Sequence, residues 1–333
     1  MPNPGIQENL FRLIRESLPS QASLVEEVAA ILNQSTDSAY RRIRGETILL
    51  LDEAATLCKA FGLSLDQATS CQPGDILFRN VHLSNKNFTY GQYLEGLYAQ
   101  LLALRQFKKK EVIYMSKDLP VFHNFYFRPL IAFRYFFWMK THLGHRDFEN
   151  LKFSFDLLPD EIEKLSRSIT AEYCQLSSTE MWNTESINST ISQIEFSRDA
   201  GHFSNEQDIK IIYEALEASV EHVKHLAELG QKMMPGEQSV SRESSYRFFY
   251  NRVVLGDNTI MVVTEAGKSI FINYGHLNYL QTTHPEFCNE LSADFENLMK
   301  RSTLISHTGE RQRNIFFHII LQKIRTRQLN LSI

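Results

Sequence analysis

The chain has 333 residues, a formal net charge of −4, and 43% apolar and 22% charged residues. That is the composition of a globular chain, and at about 150 residues per domain its length suggests two domains. Sparse Gly (14) and Pro (9) exclude collagen-like and linker-dominated chains, and the acidic balance confines any nucleic-acid binding to a local patch.

Apolar residues at Ile6, Leu10, Phe11, Leu13, Ile14 and Leu18 recur at helical spacing, and Pro19 ends the run. Ser23 with Glu26 forms a capping box that opens a second helix through Leu32. Ser35 caps a third over Thr36–Arg44, closed by Gly45; a fourth covers Leu51–Phe61 before Gly62, and a short fifth starts at Leu65. The second and third are joined by a short turn, and the third presents a polar face with Arg41 and Arg42, the pattern of a helix-turn-helix.

These residues, VAAILNQS, DSAYRRIRGE and LLLDEAATLCKAFGLSLD, resemble the lambda-repressor/Cro-type (XRE) helix-turn-helix family over about residues 23–65. The resemblance implies a five-helix DNA-binding domain over residues 1–70 whose third helix enters the major groove. It also implies DNA contacts from Gln34, Ser35, Thr36, Asp37, Ser38, Tyr40, Arg41, Arg42 and Arg44. Val25 stands where the family often has a phosphate-binding Gln. Residues 1–70 carry six basic against nine acidic side chains, so a single copy is expected to bind weakly and a homodimer on two half-sites is needed.

A boundary is expected at Cys71-Gln72-Pro73-Gly74, followed by a larger domain over 77–333. Helices are expected over Thr89–Phe107, Pro129–His142, Pro159–Gln175 and Thr184–Ala200. A long one, capped by Ser204 with Gln207, reaches Leu229. Glu111–Met115 reads as a short strand. After a polar loop at 239–245, Phe248–Leu255 and Thr259–Thr264 flank Gly256-Asp257-Asn258 as a hairpin, and Ser269–Tyr274 completes an antiparallel meander near 248–274. Helices return over Pro285–Arg301 and Glu310–Arg327. The expected fold class is mainly α: a five-helix domain, then a larger helical domain carrying a small antiparallel β-meander. The phrases KDLPVFHNF, AFRYFFWMK, STEMWNTESI and STLISHTGERQRNIFF resemble the C-terminal part of bacterial XRE-type regulators, a part whose function is not defined.

Nine aromatic residues fall between Phe122 and Trp138. They are core, or some of them (Phe122, Phe127, Phe133, Phe137, Trp138) line a pocket for an unidentified small-molecule or protein effector. Residues 300–327 hold seven basic side chains against the single acid Glu310: a solvated face, or a surface for DNA phosphates or a partner subunit.

Gly267-Lys268-Ser269 is not a P-loop, because Val262 occupies the required glycine position. His142/His145, His222/His225 and His284/Cys288 have helical spacing but no third ligand, so no metal or other cofactor is expected. Asp118 and His123 are close enough in sequence to pair, but no catalytic motif surrounds them, and the chain does not read as an enzyme.

Cys58, Cys71, Cys174 and Cys288 form no C-x-x-C pair, as expected of reduced thiols in the cytoplasm. The start MPNPGIQENLF lacks a secretory pattern, and Arg128, Pro129 and Arg134 break the most apolar stretch, so no membrane segment is expected. The expected function is that of a dimeric, sequence-specific transcriptional regulator binding double-stranded DNA. The alternative is a protein-interaction adaptor that uses the same helical module without reading DNA.

Overall fold

The computed structural model describes residues 5–19, 21–69, 76–81, 88–237, 244–253, 256–274 and 278–329. The expected boundary at Cys71–Gly74, most of the expected loop at 239–245 and the end of the expected strand at Leu255 lie outside them. The chain divides into two compact units, Met1–Leu77 and Phe78–Ile333.

The smaller unit holds α1 (Ile6–Ser17), α2 (Leu24–Leu32), α3 (Thr36–Ile43), α4 (Leu51–Phe61) and α5 (Leu65–Thr69). Its core is one cluster that includes Leu10, Phe11, Ile14, Val28, Ala29, Ala39 and Leu57. The Ser23 side chain accepts from Glu26 N and the Ser35 side chain from Ser38 N, so both caps sit where the sequence puts them. Asn33 reverses the chain between α2 and α3 in the left-handed region (φ 51°), a conformation Asn tolerates better than most residues.

The larger unit is not a helical domain with a small meander. Its framework is a mixed sheet of eight strands: β1 (Arg79–Val81), β2 (Lys110–Ser116), β3 (Ser177–Trp182), β4 (Tyr246–Tyr250), β5 (Thr259–Thr264), β6 (Gly267–Tyr274), β7 (Asn278–Thr282) and β8 (Thr303–Leu304). Their order is β1-β7-β6-β5-β2-β3-β4-β8. The pairs β2–β3 and β3–β4 are parallel and the rest antiparallel. The chain makes each parallel step through helices: α7 (Arg128–Phe137) and α8 (Asp160–Cys174), then α9 (Asn188–Asp199) and α10 (Glu206–Leu229).

The expected hairpin across Gly256–Asn258 does not form. β4 lies between β3 and β8, while β5 pairs with β2 and β6. Asn258 instead closes the end of β2, where its side-chain oxygen accepts from Lys117 N (2.8 Å) and Asp118 N (3.1 Å). The meander that exists is β5–β6–β7. β3 has no strand signature, because its sequence SSTEMW lacks the β-branched alternation by which strands are recognised. Its place is set by two flanking strands and a helical layer.

Side chains alternate across the sheet. Val112, Tyr114, Trp182, Tyr246 and Phe248 face a large core shared with α6 (Tyr90–Ala103), α7, α8, α10 and α12 (Glu310–Leu329). Ile113, Met115, Met181, Phe249, Met261 and Ile270 face the other way, onto α11 (Pro285–Lys300) through Cys288 and Phe295. Several helix ends differ from expectation. α7 gives way at Phe137 to a π-turn over Trp138–His142, α9 begins at Asn188, and Asn205 rather than Ser204 caps α10. Among the described residues no helix is long and apolar enough to cross a membrane.

Part of the basic charge of the C-terminal helix is paired within the larger unit. Arg325 pairs with Glu217 (2.7 Å) and Glu221 (3.5 Å), Arg327 with Glu195 (3.4 Å), and Lys323 with Glu185 (3.0 Å).

Candidate functional site

Helical periodicity sorts the nine residues expected at DNA into two stripes. Thr36, Asp37, Tyr40, Arg41 and Arg44 form one exposed face of α3 and its C-cap, with Ser35 at the start. On it Arg41 pairs loosely with Asp37 (3.4 Å), and Arg44 approaches the Tyr40 hydroxyl (3.3 Å) and Glu46 (3.4 Å). Such exposed pairs are worth little, and these cations stay available to a polyanion.

Gln34, Ser38 and Arg42, four residues apart, form the second stripe, half-buried and turned to α4. Arg42 grips Glu53 with two nitrogens, Nε to Oε2 at 3.1 Å and Nη2 to Oε1 at 2.9 Å. Arg42 Nη1 donates to the Ser38 hydroxyl (2.8 Å), which donates to Gln34 Oε1 (3.0 Å), and Gln34 Nε2 returns to Glu53 Oε1 (2.8 Å). Glu53 Oε2 also accepts from Leu50 N (3.0 Å). This closed network sets the orientation of α3. Gln7 adds a second anchor, because its amide donates to Arg42 O (2.7 Å) and Thr47 O (2.8 Å) and accepts from Leu49 N (2.9 Å).

The hydrogen bonds from Arg42 hold the Glu53 carboxyl down at about 2. Because this folded-state value lies below the unfolded one, the stabilisation is complete above about pH 4.5 and is lost as pH falls toward 2. Arg42→Ala is expected to destabilise the smaller unit by about 2 kcal/mol at neutral pH and to flatten its acid dependence. Urea unfolding followed by far-UV circular dichroism at neutral and acid pH checks both.

The aromatic residues expected to line a pocket are not gathered around one. Phe122 stacks on Tyr173 with ring centroids 3.8 Å apart. Phe133 packs against Phe137 (5.8 Å), Phe153 (6.3 Å) and Phe203 (6.2 Å). Phe127 and Trp138 are half-buried at the edge of the same core, Trp138 against Tyr90 and Tyr93. Phe137 also reaches an open groove, between the π-turn and α9.

A buried polar cluster, which sequence reasoning missed, lies where β3 meets the helical layer. Glu180 is fully buried and accepts from four side chains. The Tyr173 hydroxyl donates at 2.6 Å, Trp182 Nε1 at 2.9 Å and the Tyr246 hydroxyl at 3.1 Å, while His123 Nε2 lies 2.9 Å from both carboxylate oxygens. His123 thus meets Glu180, and the Asp118 carboxylate meets Asn258 instead. Burial pushes the Glu180 carboxyl up, but His123, Tyr173 and Lys232 outweigh it and hold the group below the ordinary carboxylate range. Lys232 is equally enclosed. Its Nζ donates to Tyr173 O (2.6 Å) and sits 3.3 Å from the centre of that ring. Burial lowers its pKa to about 7, against the opposing pull of Cys174 and Glu180. The strand places Glu180 there by alternation from Trp182, but nothing in the sequence marks this acid as an interior one.

The spaced histidines have other tasks. His222 Nε2 is bonded to Met233 O (2.9 Å), His225 lies beside Glu228, and the His284 side chain caps α11. Compared with known proteins, the chain matches no family model, no curated protein and no solved structure.

Proposed function

We propose that the chain is a sequence-specific DNA-binding transcriptional regulator, acting in the cytoplasm as a homodimer. Its smaller unit reads double-stranded DNA, and its larger unit serves self-association and effector sensing. The observation that carries this reading is the division of labour on α3. One stripe is locked to α4 through Arg42–Glu53, and the opposite stripe holds Thr36, Asp37, Tyr40, Arg41 and Arg44 out to solvent. A reading helix needs both a fixed orientation and free polar side chains. α3 and its C-cap turn two cations, Arg41 and Arg44, outward in an acidic unit, so useful affinity calls for two copies on paired half-sites.

The test is selection of genomic fragments by the full chain at physiological salt, with Arg41→Ala/Arg44→Ala as control. The expected result is a palindromic motif, lost in the double variant without loss of thermal stability because both side chains are exposed. Binding should also weaken steeply with salt, and the double variant should flatten that dependence by about one unit of slope per arginine. Enrichment that survives the double variant would reject α3 as the reader.

One observation favours the adaptor reading. Ile48 (80% exposed), Leu50 (62%) and Leu51 (74%) stand out beside the end of α3, where a phosphate backbone gives apolar side chains nothing to bind. Salt-insensitive capture of a protein, without DNA enrichment, would place this reading first.

A further inference from the structure

We propose that the groove between the π-turn and α9 binds a small aromatic carboxylate. The proposal rests on the sensing part of the function proposed above and names its ligand class. Binding is measured without DNA, so its failure is distinct from failure of operator reading.

The groove has a volume of about 440 Å³, within the range of small-ligand sites. One wall is Phe137, Thr141 and His142, and the other is α9 with Ser189, Ser192, Gln193 and Phe196. The first wall exists because the helix widens after Phe137, where Leu143 N bonds to Trp138 O (2.9 Å) across a π-turn. Such turns break the helical phase and are frequent at functional sites. Phe196 is 52% exposed and meets Phe137 edge-on at 6.3 Å, which leaves an aromatic surface for a ring to cover.

The electrostatics select the other half of the ligand. Among the described residues no carboxylate lines this groove, whereas hydroxyls and an amide do. Directly behind Gln193 lies Arg134, which is 8% exposed. Its guanidinium donates only to neutral acceptors: Nε to Asn124 Oδ1 (3.1 Å), Nη2 to Thr190 Oγ1 (2.8 Å) and Nη1 to Gln193 Oε1. Among the described residues it has no carboxylate at ion-pair distance. Asp118 acts on it only from beyond ion-pair distance, so burial leaves this cation weakly compensated, and an anion nearby relieves that cost. Gln193 transmits the field. Its carbonyl accepts from the guanidinium, and its amide nitrogen donates to Oγ of Ser189 (3.4 Å), which itself lines the groove. The polarised N–H and the serine hydroxyls form a donor set for a carboxylate, with Phe137 and Phe196 against its ring.

The test uses the full chain, with phenylacetate as probe and phenylacetamide and acetate as controls, titrated by calorimetry and by saturation-transfer NMR. Phenylacetate is expected to bind at about 1 mM or tighter, as suits so small a ligand, and each control at least about 10-fold more weakly. Gln193→Glu puts a carboxylate beside Arg134, so the fold keeps its partner while the groove loses its positive field. Phenylacetate affinity should then fall at least about 10-fold with no loss of melting temperature. Should that variant not fold, Ser192→Asp brings the same charge into the groove from an exposed position. Phe196→Ala should weaken acid and amide alike. Absence of saturable binding below about 10 mM, equal affinity for acid and amide, or an unchanged affinity in the acidic variant overturns the proposal.

Discussion

Glu180→Ala is expected to lower the melting temperature of the larger unit by roughly 10–20 °C, the largest effect of any single substitution considered in this chain. The carboxylate satisfies Tyr173, Trp182, Tyr246 and His123 at once, all inside the core. Its removal orphans these donors at about 1–3 kcal/mol each and takes away a buried negative charge that acts on Lys232. The sum exceeds about 5 kcal/mol, and at this size each kcal/mol corresponds to about 2–4 °C. Both tryptophans of the chain, Trp138 and Trp182, lie in this unit, and Trp182 is itself a donor to Glu180. Tryptophan fluorescence of the full chain therefore reports this unit specifically. Glu180→Gln keeps the shape and one acceptor oxygen, and its loss should be intermediate. A change below about 3 °C in the alanine variant would show that the network contributes almost nothing.

Lys232 gives the second large effect, through pH. Burial lowers its folded-state pKa to about 7 from an ordinary 10.5, so above pH 7 the folded chain has released a proton that the unfolded chain still holds. The unfolded state binds more protons over that interval, and stability must rise with pH there. Below pH 7 both states are protonated and this dependence disappears. The expected gain between about pH 7 and 8.5 is roughly 1–2 kcal/mol, at up to about 1.4 kcal/mol per pH unit. Higher pH brings an opposing trend, because burial raises the Cys174 thiol to about 11 and the tyrosines of the cluster above their ordinary value. Those groups keep their protons in the folded state while the unfolded chain loses them. Lys232→Met should abolish the rise between about pH 7 and 8.5 and stabilise the unit near pH 7, since the methionine fills the space without a charge to desolvate. Denaturant midpoints across that interval, read at Trp182, decide it. An unchanged slope in the methionine variant would assign the pH dependence to another group.

The two units differ in how much of them the sequence discloses. In the smaller one every element is local. Ser23 and Ser35 cap the turn that follows them, Gly62 ends α4 in the left-handed region, and Ala39 faces inward by helical period alone. Short-range rules suffice there. What they did not resolve is the split of the recognition-helix residues, because Arg42 and Arg41 are alike until Glu53, 11 residues on, claims one of them.

In the larger unit, helices and the first internal strand were legible from caps and alternation, while the sheet was not. β3 is a strand because β2 and β4 lie on either side of it, and its polar side chains are buried because α8 and the segment around His123 cover them. The apparent hairpin across Gly256–Asn258 failed for the same reason. Turn residues between two apolar runs say that the chain bends, but β4 found better-paired edges on β3 and β8.

Most helical segments, the caps at Ser23 and Ser35 and the polar helix that the functional proposal uses are written in the local sequence. These follow from hydrogen bonds and periodicities a few residues long. The eight-stranded order, the pairing of Arg42 with Glu53, and the burial of Glu180, Lys232 and Arg134 arise only when distant segments pack together. Each depends on a partner distant in the chain, and the free energy of a buried charge is set by the groups that surround it, not by its neighbours in sequence.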